Sequence, residues 1–301
     1  FGDEYITGGY IQRFAFFTIL FSILLFKNKK YTNFISAVIV ICVLTAGILL
    51  SGNRMPLILF IFGLFLILLF NIKIKTILLL SFVPMFILCK FIISTDESYK
   101  QQYITYYYNF KNLVNFFPES SLILKYEIIK SKTDNLQQSN LSYDVRWETN
   151  HKRLFLAALD TWRSHKIFGN GIKSFRIDCP KLAGPDINLE EDLYPDKKNR
   201  LCSNHPHNYY LEILTDTGIV GLATVFMFAF LFVIFIFKNL NVANKINIEN
   251  LVLLSAIISL ASETIPLRSS GSIFTTNNAT YLVLIGSIVL SYKELFKTNI
   301  E

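Results

Sequence analysis

The stretch Ser203–Leu222 reads SNHPHNYYLEILTDTGIVGL and sets two histidines, two tyrosines and two acids at the entrance to an apolar run. Imidazole has an ordinary pKa close to neutrality, so His207 is suited to take a proton from a hydroxyl. Asn208 follows it directly, and Glu212 lies one turn along the same predicted helix. Glu212 has two readings, an acid that orients His207, or a solvated or helix-pairing acid. Cys202, His205 and His207 resemble a fragment of a metal site. Zinc needs three or four ligands, and one H-x-H with one cysteine does not supply them, so no metal and no other cofactor is expected. A histidine that caps the helix starting near Asn208 is the plainer structural reading. Arg54 lies in SGNRMPLILF, two residues before a proline suited to a first helical turn. A guanidinium at a helix N-terminus is a favourable place for an anion.

These residues need elements to position them. The chain has 301 residues, 52% of them hydrophobic and 17% charged, against roughly a quarter charged in soluble domains. That balance implies a polytopic membrane protein. Seven apolar segments stand out: Tyr10–Phe26, Phe34–Leu50, Met55–Phe70, Thr76–Ile93, Gly218–Phe237, Asn250–Pro266 and Ala279–Leu290. Most approach the roughly 17–25 residues a crossing helix needs, and none alternates as a barrel strand does. One set of short loops holds nine lysines (Lys27, Lys29, Lys30, Lys73, Lys75, Lys238, Lys245, Lys293 and Lys297), and the opposite set holds only Arg13, Arg54 and Arg268. The lysine-rich side is therefore expected in the cytoplasm, and Arg54, His207, Glu263 and Arg268 outside it. The net charge of +7 is then a loop signature, and no basic, aromatic-lined face indicates nucleic acid.

The expected organisation is four transmembrane helices in 1–93, a periplasmic loop domain in 94–206, and three further spans in 207–301 with a cytoplasmic C-terminus. Because the first residue is Phe1, the N-terminal part is expected to be missing. Within the loop, Gln101–Phe117 is rich in tyrosine and phenylalanine, which reads as an interfacial belt or as a platform for sugar rings. Ser131–Ser142 reads as a linker. Apolar residues at three-to-four spacing predict a helix over Asn150–His165, with Arg153 on its first turns and a glycine turn, Gly169 and Gly171, beyond its end. Cys179 and Cys202 share this loop, and in an oxidising compartment they are expected to pair. Glu263 is an acid at the edge of a span, where ionisable groups are usually functional.

Taken together, these segments resemble the O-antigen ligase and polymerase superfamily. Its histidine motif runs His, then Asn, Ser or Gln, nine residues, Gly, two residues, then Gly, Thr or Tyr, and it is met by His207, Asn208, Gly218 and Gly221. SGNRMPLILF is similar to its Ser-Arg segment, although Gly52 and Asn53 intervene after Ser51. RLFLAALDTWRSHKIFGNGIKSF, from Arg153, is similar to its arginine-bearing loop, and IPLRSSGSIFTTNNATYL to a C-terminal segment.

The resemblance implies an all-α, GT-C-like transmembrane helix bundle in the bacterial inner membrane. It implies a metal-independent glycosyltransferase whose donor is an undecaprenyl-diphosphate-linked glycan. The acceptor is lipid A–core for a ligase or another glycan for a polymerase, and membrane lipids surround both. His207 would be the base, with Glu212 beside it; Arg54, Arg153 and Arg268 would hold the diphosphate; Glu263 and Asn208 would be supporting sites. A transporter of the lipid-linked glycan is the rival class. It predicts ionisable groups near the bilayer midplane and paired repeats, whereas the ionisable residues of this chain concentrate on one side.

Overall fold

The computed structural model describes residues 7–25, 29–52, 54–70, 75–95, 100, 150–182, 200–239, 247–266 and 268–297. Among the described residues every regular element is a helix. These are α1 Thr7–Leu25, α2 Lys30–Leu50, α3 Arg54–Phe70, α4 Lys75–Thr95, α5 Asn150–Ser164, α6 Phe175–Leu182, α7 Tyr209–Asn239, α8 Ile248–Glu263 and α9 Thr276–Lys297. The aromatic segment Gln101–Phe117, the linker Ser131–Ser142 and the loop lysines Lys27, Lys73 and Lys245 lie outside the described residues.

Each of the seven apolar segments coincides with a helix. Thr7–Leu25, Lys75–Thr95 and Tyr209–Phe235 are long and apolar enough to cross a bilayer, while Phe34–Leu50 and Arg54–Leu69 are shorter apolar helices. The chain is a helical membrane protein. Differences from the sequence expectation sit at the ends. α8 stops at Glu263, short of Pro266, because proline disfavours helix in the residue before it. α9 is longer than its apolar stretch: Thr276 and Asn277 of its polar first turn are exposed, and Asn278 fastens that turn by donating to the Ser272 carbonyl at 2.8 Å. α6, only eight residues long with Pro180 inside it, was too short to show a periodicity.

α1 is the hub, packed against α2, α3 and α8, while α9 closes on α8 and α4 on α2. Phe16 of α1 stacks on Phe60 of α3 with centroids 5.9 Å apart. In an apolar solvent helices gain little from hydrophobicity, so polar contacts and close packing hold them together. Here Ser259 donates to the Arg13 carbonyl at 3.1 Å, Tyr281 to the same carbonyl at 3.1 Å, and Ser255 to the Phe16 carbonyl at 3.3 Å.

The helix directions bring several termini to one end. The Gly47 backbone lies against Ile11, so the C-terminal part of α2 flanks the N-terminal part of α1. Arg54, six residues before Phe60, therefore stands about 9 Å further toward that same end. α8 arrives there at Glu263, and α7 and α9 start there. The exposed Lys29 lies at the opposite end, beyond Leu25.

Candidate functional site

The first turn of α7 is capped by Asn208. Its Oδ1 accepts from the Tyr210 and Leu211 amides at 3.0 and 3.1 Å, and this is how asparagine satisfies open N–H groups at a helix start. Its Nδ2 donates to the carbonyls of Pro266 and Arg268, so one buried amide ties the helix start to the turn after α8. The capping considered for His207 is thus supplied by its neighbour. His207 itself has a left-handed backbone with φ of 56°, and its carbonyl accepts from the Ser270 amide at 2.9 Å. A strained conformation persists only where its surroundings enforce it, and here the Asn208 cap and the Ser270 bond hold the chain where it leaves His207. The imidazole lies against that of His205, with centroids 4.3 Å apart.

Glu212 has partners in the same turn. Its carboxylate accepts from the Ser272 hydroxyl and, at 2.8 Å, from the Ile273 amide. α7 therefore grips Pro266 and Arg268 through Asn208, and Ser272 and Ile273 through Glu212 a turn further along.

A buried charge network lies directly beneath. Arg13 donates to Glu263 with Nη2 at 2.6 Å and Nε at 3.2 Å, a bidentate pair, and also to Asn278 Oδ1 at 2.6 Å. Arg268 forms a second ion pair with Glu263 and donates to the Glu263 carbonyl at 3.2 Å. Tyr209, the residue after Asn208, donates its hydroxyl to Glu263 Oε1 at 2.9 Å. A carboxylate with no solvent exposure is tolerated only when paired and hydrogen-bonded, and Glu263 is both. Arg268 thus belongs to a structural network as well as to the candidate site. Its Nε is buried without a hydrogen-bond partner among the described residues.

The loop layer is fastened to α7 where the helix breaks. Gly218 has φ of 67° and ψ of −165°, a conformation available essentially to glycine. A Cβ there would lie 2.2 Å from the Ile167 carbonyl oxygen. The break frees backbone groups, and the turn after α5 pairs them. Ile219 and Val220 amides donate to Lys166 and Ile167 carbonyls, while Asn170 and Gly171 amides donate to Thr215 and Asp216 carbonyls. The Asp216 side chain in turn accepts from the Lys173 amide and Ser174 hydroxyl. Two sequence features that looked separate, the glycine turn and the motif glycine, are the halves of one clasp.

α5 and α6 sit on this clasp through a small core of Leu154, Ala157, Ala158, Phe175 and Cys179, against which Leu201, Cys202 and Leu211 pack. Cys179 and Cys202 form a disulfide, with Cα atoms 5.8 Å apart. Asp160 accepts from Arg163 at 2.8 Å and from Arg200. Arg153 donates from Nη2 to the Arg200 carbonyl at 3.3 Å, and its buried Nε has no hydrogen-bond partner among the described residues. Arg54 is half-buried at the start of α3 and makes no hydrogen bond or ion pair among the described residues.

Of the residues picked from the sequence, His207, Asn208, Glu212, Glu263 and Arg268 meet around a single turn. Arg153 stands in the loop layer that Leu211 joins to this turn, and Arg54 at the same end of the bundle. Sequence reasoning passed over Arg13, Tyr209 and Ser272. Arg13 had a legible signal: it is the only charged residue in the apolar run Tyr10–Phe26, where an ionisable group is rarely idle. Among the described residues no cluster of three or more His, Cys, Asp or Glu is placed to hold a metal ion.

A family model described as O-antigen ligase matches residues 37–226, more than half of the chain. The match takes in the Arg54 turn, the loop layer, the His207 cap and the Gly218 break, and it ends before Glu263 and Arg268. No curated protein and no solved structure matches the chain.

Proposed function

The chain belongs to the O-antigen ligase family, and on that premise we propose that it moves a glycan from an undecaprenyl-diphosphate carrier to an acceptor hydroxyl, that of lipid A–core, at the periplasmic face of the inner membrane. The acceptor oxygen attacks the anomeric carbon of the donor sugar. His207 takes the hydroxyl proton as the new glycosidic bond forms. The bond from that carbon to the diphosphate oxygen breaks, and undecaprenyl diphosphate leaves carrying the bonding electron pair. Arg54 and Arg153 receive the charge that gathers on the diphosphate, with Arg268 as a third cation. The energy for transfer resides in the carrier-linked donor, so this reading calls on neither a nucleotide nor a metal.

The observation that carries the proposal is the join between His207 and Arg268. A proton acceptor and a cation lie on two segments bound to each other through Ser270 and Asn208. Preset spacing of this kind is what a transfer reaction needs from its protein, because groups already in position cost no reorganisation as the bond breaks. Asn208 and Glu212 act as positioning residues, and Glu263 holds Arg268 and Tyr209 in place.

Complementation tests this reading. The full chain is expressed in strains lacking either the ligase or the polymerase, and the lipopolysaccharide ladder is examined. Restored attachment of glycan to lipid A–core is expected, and His207→Ala is expected to abolish it at normal protein accumulation. Chain lengthening without attachment identifies a polymerase instead, and wild-type transfer by the variant removes His207 from the mechanism.

A further inference from the structure

The turn that clasps Gly218 carries an apolar tip that the transfer reaction does not use. Ile167 is 62% exposed, Phe168 76%, Ile172 66% and Ile177, on α6, 55%. Four large apolar side chains this open, within eleven consecutive residues of a loop, call for a partner.

Position identifies that partner. The Lys166 and Ile167 carbonyls accept from the Ile219 and Val220 amides, the first two after the helix break. Ile219 and Val220 are themselves about half exposed and begin the apolar, outward-facing surface that Phe226, Phe228, Phe230 and Leu231 continue. The stretch from Ile219 to Asn239 is about 32 Å long at helical rise, close to the roughly 30 Å of a bilayer's hydrocarbon. Its first turn therefore lies near one hydrocarbon boundary, and the tip hydrogen-bonded to that turn lies there with it.

Charge points the same way. Lys166, Lys173 and Arg176 are exposed around the apolar side chains. The acids of the same stretch are occupied: Asp160 pairs with Arg163 and Arg200, and Asp178 with Lys181 at 3.3 Å. An apolar tip ringed by cations fits a layer of lipid phosphates with acyl chains behind it.

We propose that residues 166–177 form an interfacial wedge, with Phe168 and Ile172 inserted among the lipids of the leaflet next to the site and the surrounding cations at the phosphate level. The wedge fixes the depth of the loop layer, and hence of Arg153, relative to the membrane surface.

The test places a fluorophore at the tip. Phe168→Trp is made in the full chain, a change the open position accommodates, and the protein is reconstituted into vesicles of phosphatidylethanolamine and phosphatidylglycerol. Emission is compared with that of the parent chain to remove the native tryptophans. The added tryptophan is expected to emit at shorter wavelength than one in water and to lose most of its intensity when the lipids carry bromine on their acyl chains. Ile172→Trp repeats the measurement from the other side of the turn. Water-like emission with no quenching at both positions would overturn the wedge and leave the surface to a protein or glycan partner.

Discussion

The clasp at Gly218 makes a graded prediction possible. Replacing Gly218 by alanine asks an L-residue to hold φ of 67° with ψ of −165°, which costs about 1–3 kcal/mol. The new Cβ would also lie 2.2 Å from the Ile167 oxygen and 2.6 Å from the Gly169 nitrogen, both backbone atoms that cannot swing aside. Relief requires the 166–171 turn to retreat, weakening the four main-chain bonds that join it to residues 215–220. At about 1 kcal/mol each and with partial loss, they add roughly 2–3 kcal/mol. Gly218→Ala should therefore cost about 3–6 kcal/mol in all. Gly171→Ala is the internal standard: φ there is 100°, but nothing lies within 4 Å of the added atom, so only the conformational part applies. Unfolding of both variants in detergent, followed by tryptophan fluorescence, gives the difference, and glycan transfer is assayed on the same preparations. Gly218→Ala should be the less stable by at least about 2 kcal/mol, and should transfer less because α5 and Arg153 lose their footing. Equal stability of the two variants would refute the clasp.

Two further changes probe the charge network and the crosslink. Glu263→Gln leaves Arg13 and Arg268 facing each other without their shared anion, and removing one member of a buried pair costs about 3–5 kcal/mol. Unfolding measurements on that variant should show a loss in this range, and an unchanged midpoint would mean that the two arginines are compensated elsewhere. Cys179→Ser opens a loop closed across 23 residues, worth about 3 kcal/mol in the chain-entropy model. It should speed protease cleavage of the loop under non-reducing conditions, and cleavage at the parent rate would show that the crosslink constrains nothing.

How far the fold could be read beforehand depended on how local its signals were. Spans were legible because a crossing helix writes a run of apolar residues into the sequence, and the seven runs found their helices. The histidine motif was legible as a pattern but not as a mechanism: nothing local says that Asn208 is the cap, or that Gly218 breaks the helix so that a turn some fifty residues upstream can be stitched to it. Long-range pairing also hid Arg13. Its partner Glu263 is 250 positions away, and only the packing of α1 on α8 makes the two adjacent. Glu212 shows the reverse case. Helical spacing suggested a partner one turn back, whereas its carboxylate faces the turn before α9, a choice set by tertiary structure.

The arginines differ in a way that bears on how a diphosphate would be held. Arg13 and Arg268 share one carboxylate, so two positive charges meet one negative charge and the turn retains a net positive charge. Arg268 is pinned through one end of its guanidinium, while its Nε has no hydrogen-bond partner among the described residues. A cation held in this way offers a fixed field with little entropy left to lose. Arg54 is the opposite, half-exposed and without an ion pair among the described residues, so ordering it on an anion costs side-chain freedom. In the proposed transfer the two kinds of cation divide the task. The paired one would define where charge gathers, and the half-exposed one would follow the leaving group as it withdraws. On the same proposal Glu263 would act beyond the fold: by neutralising one of its two partners it would keep the turn from holding the departing diphosphate too tightly for release.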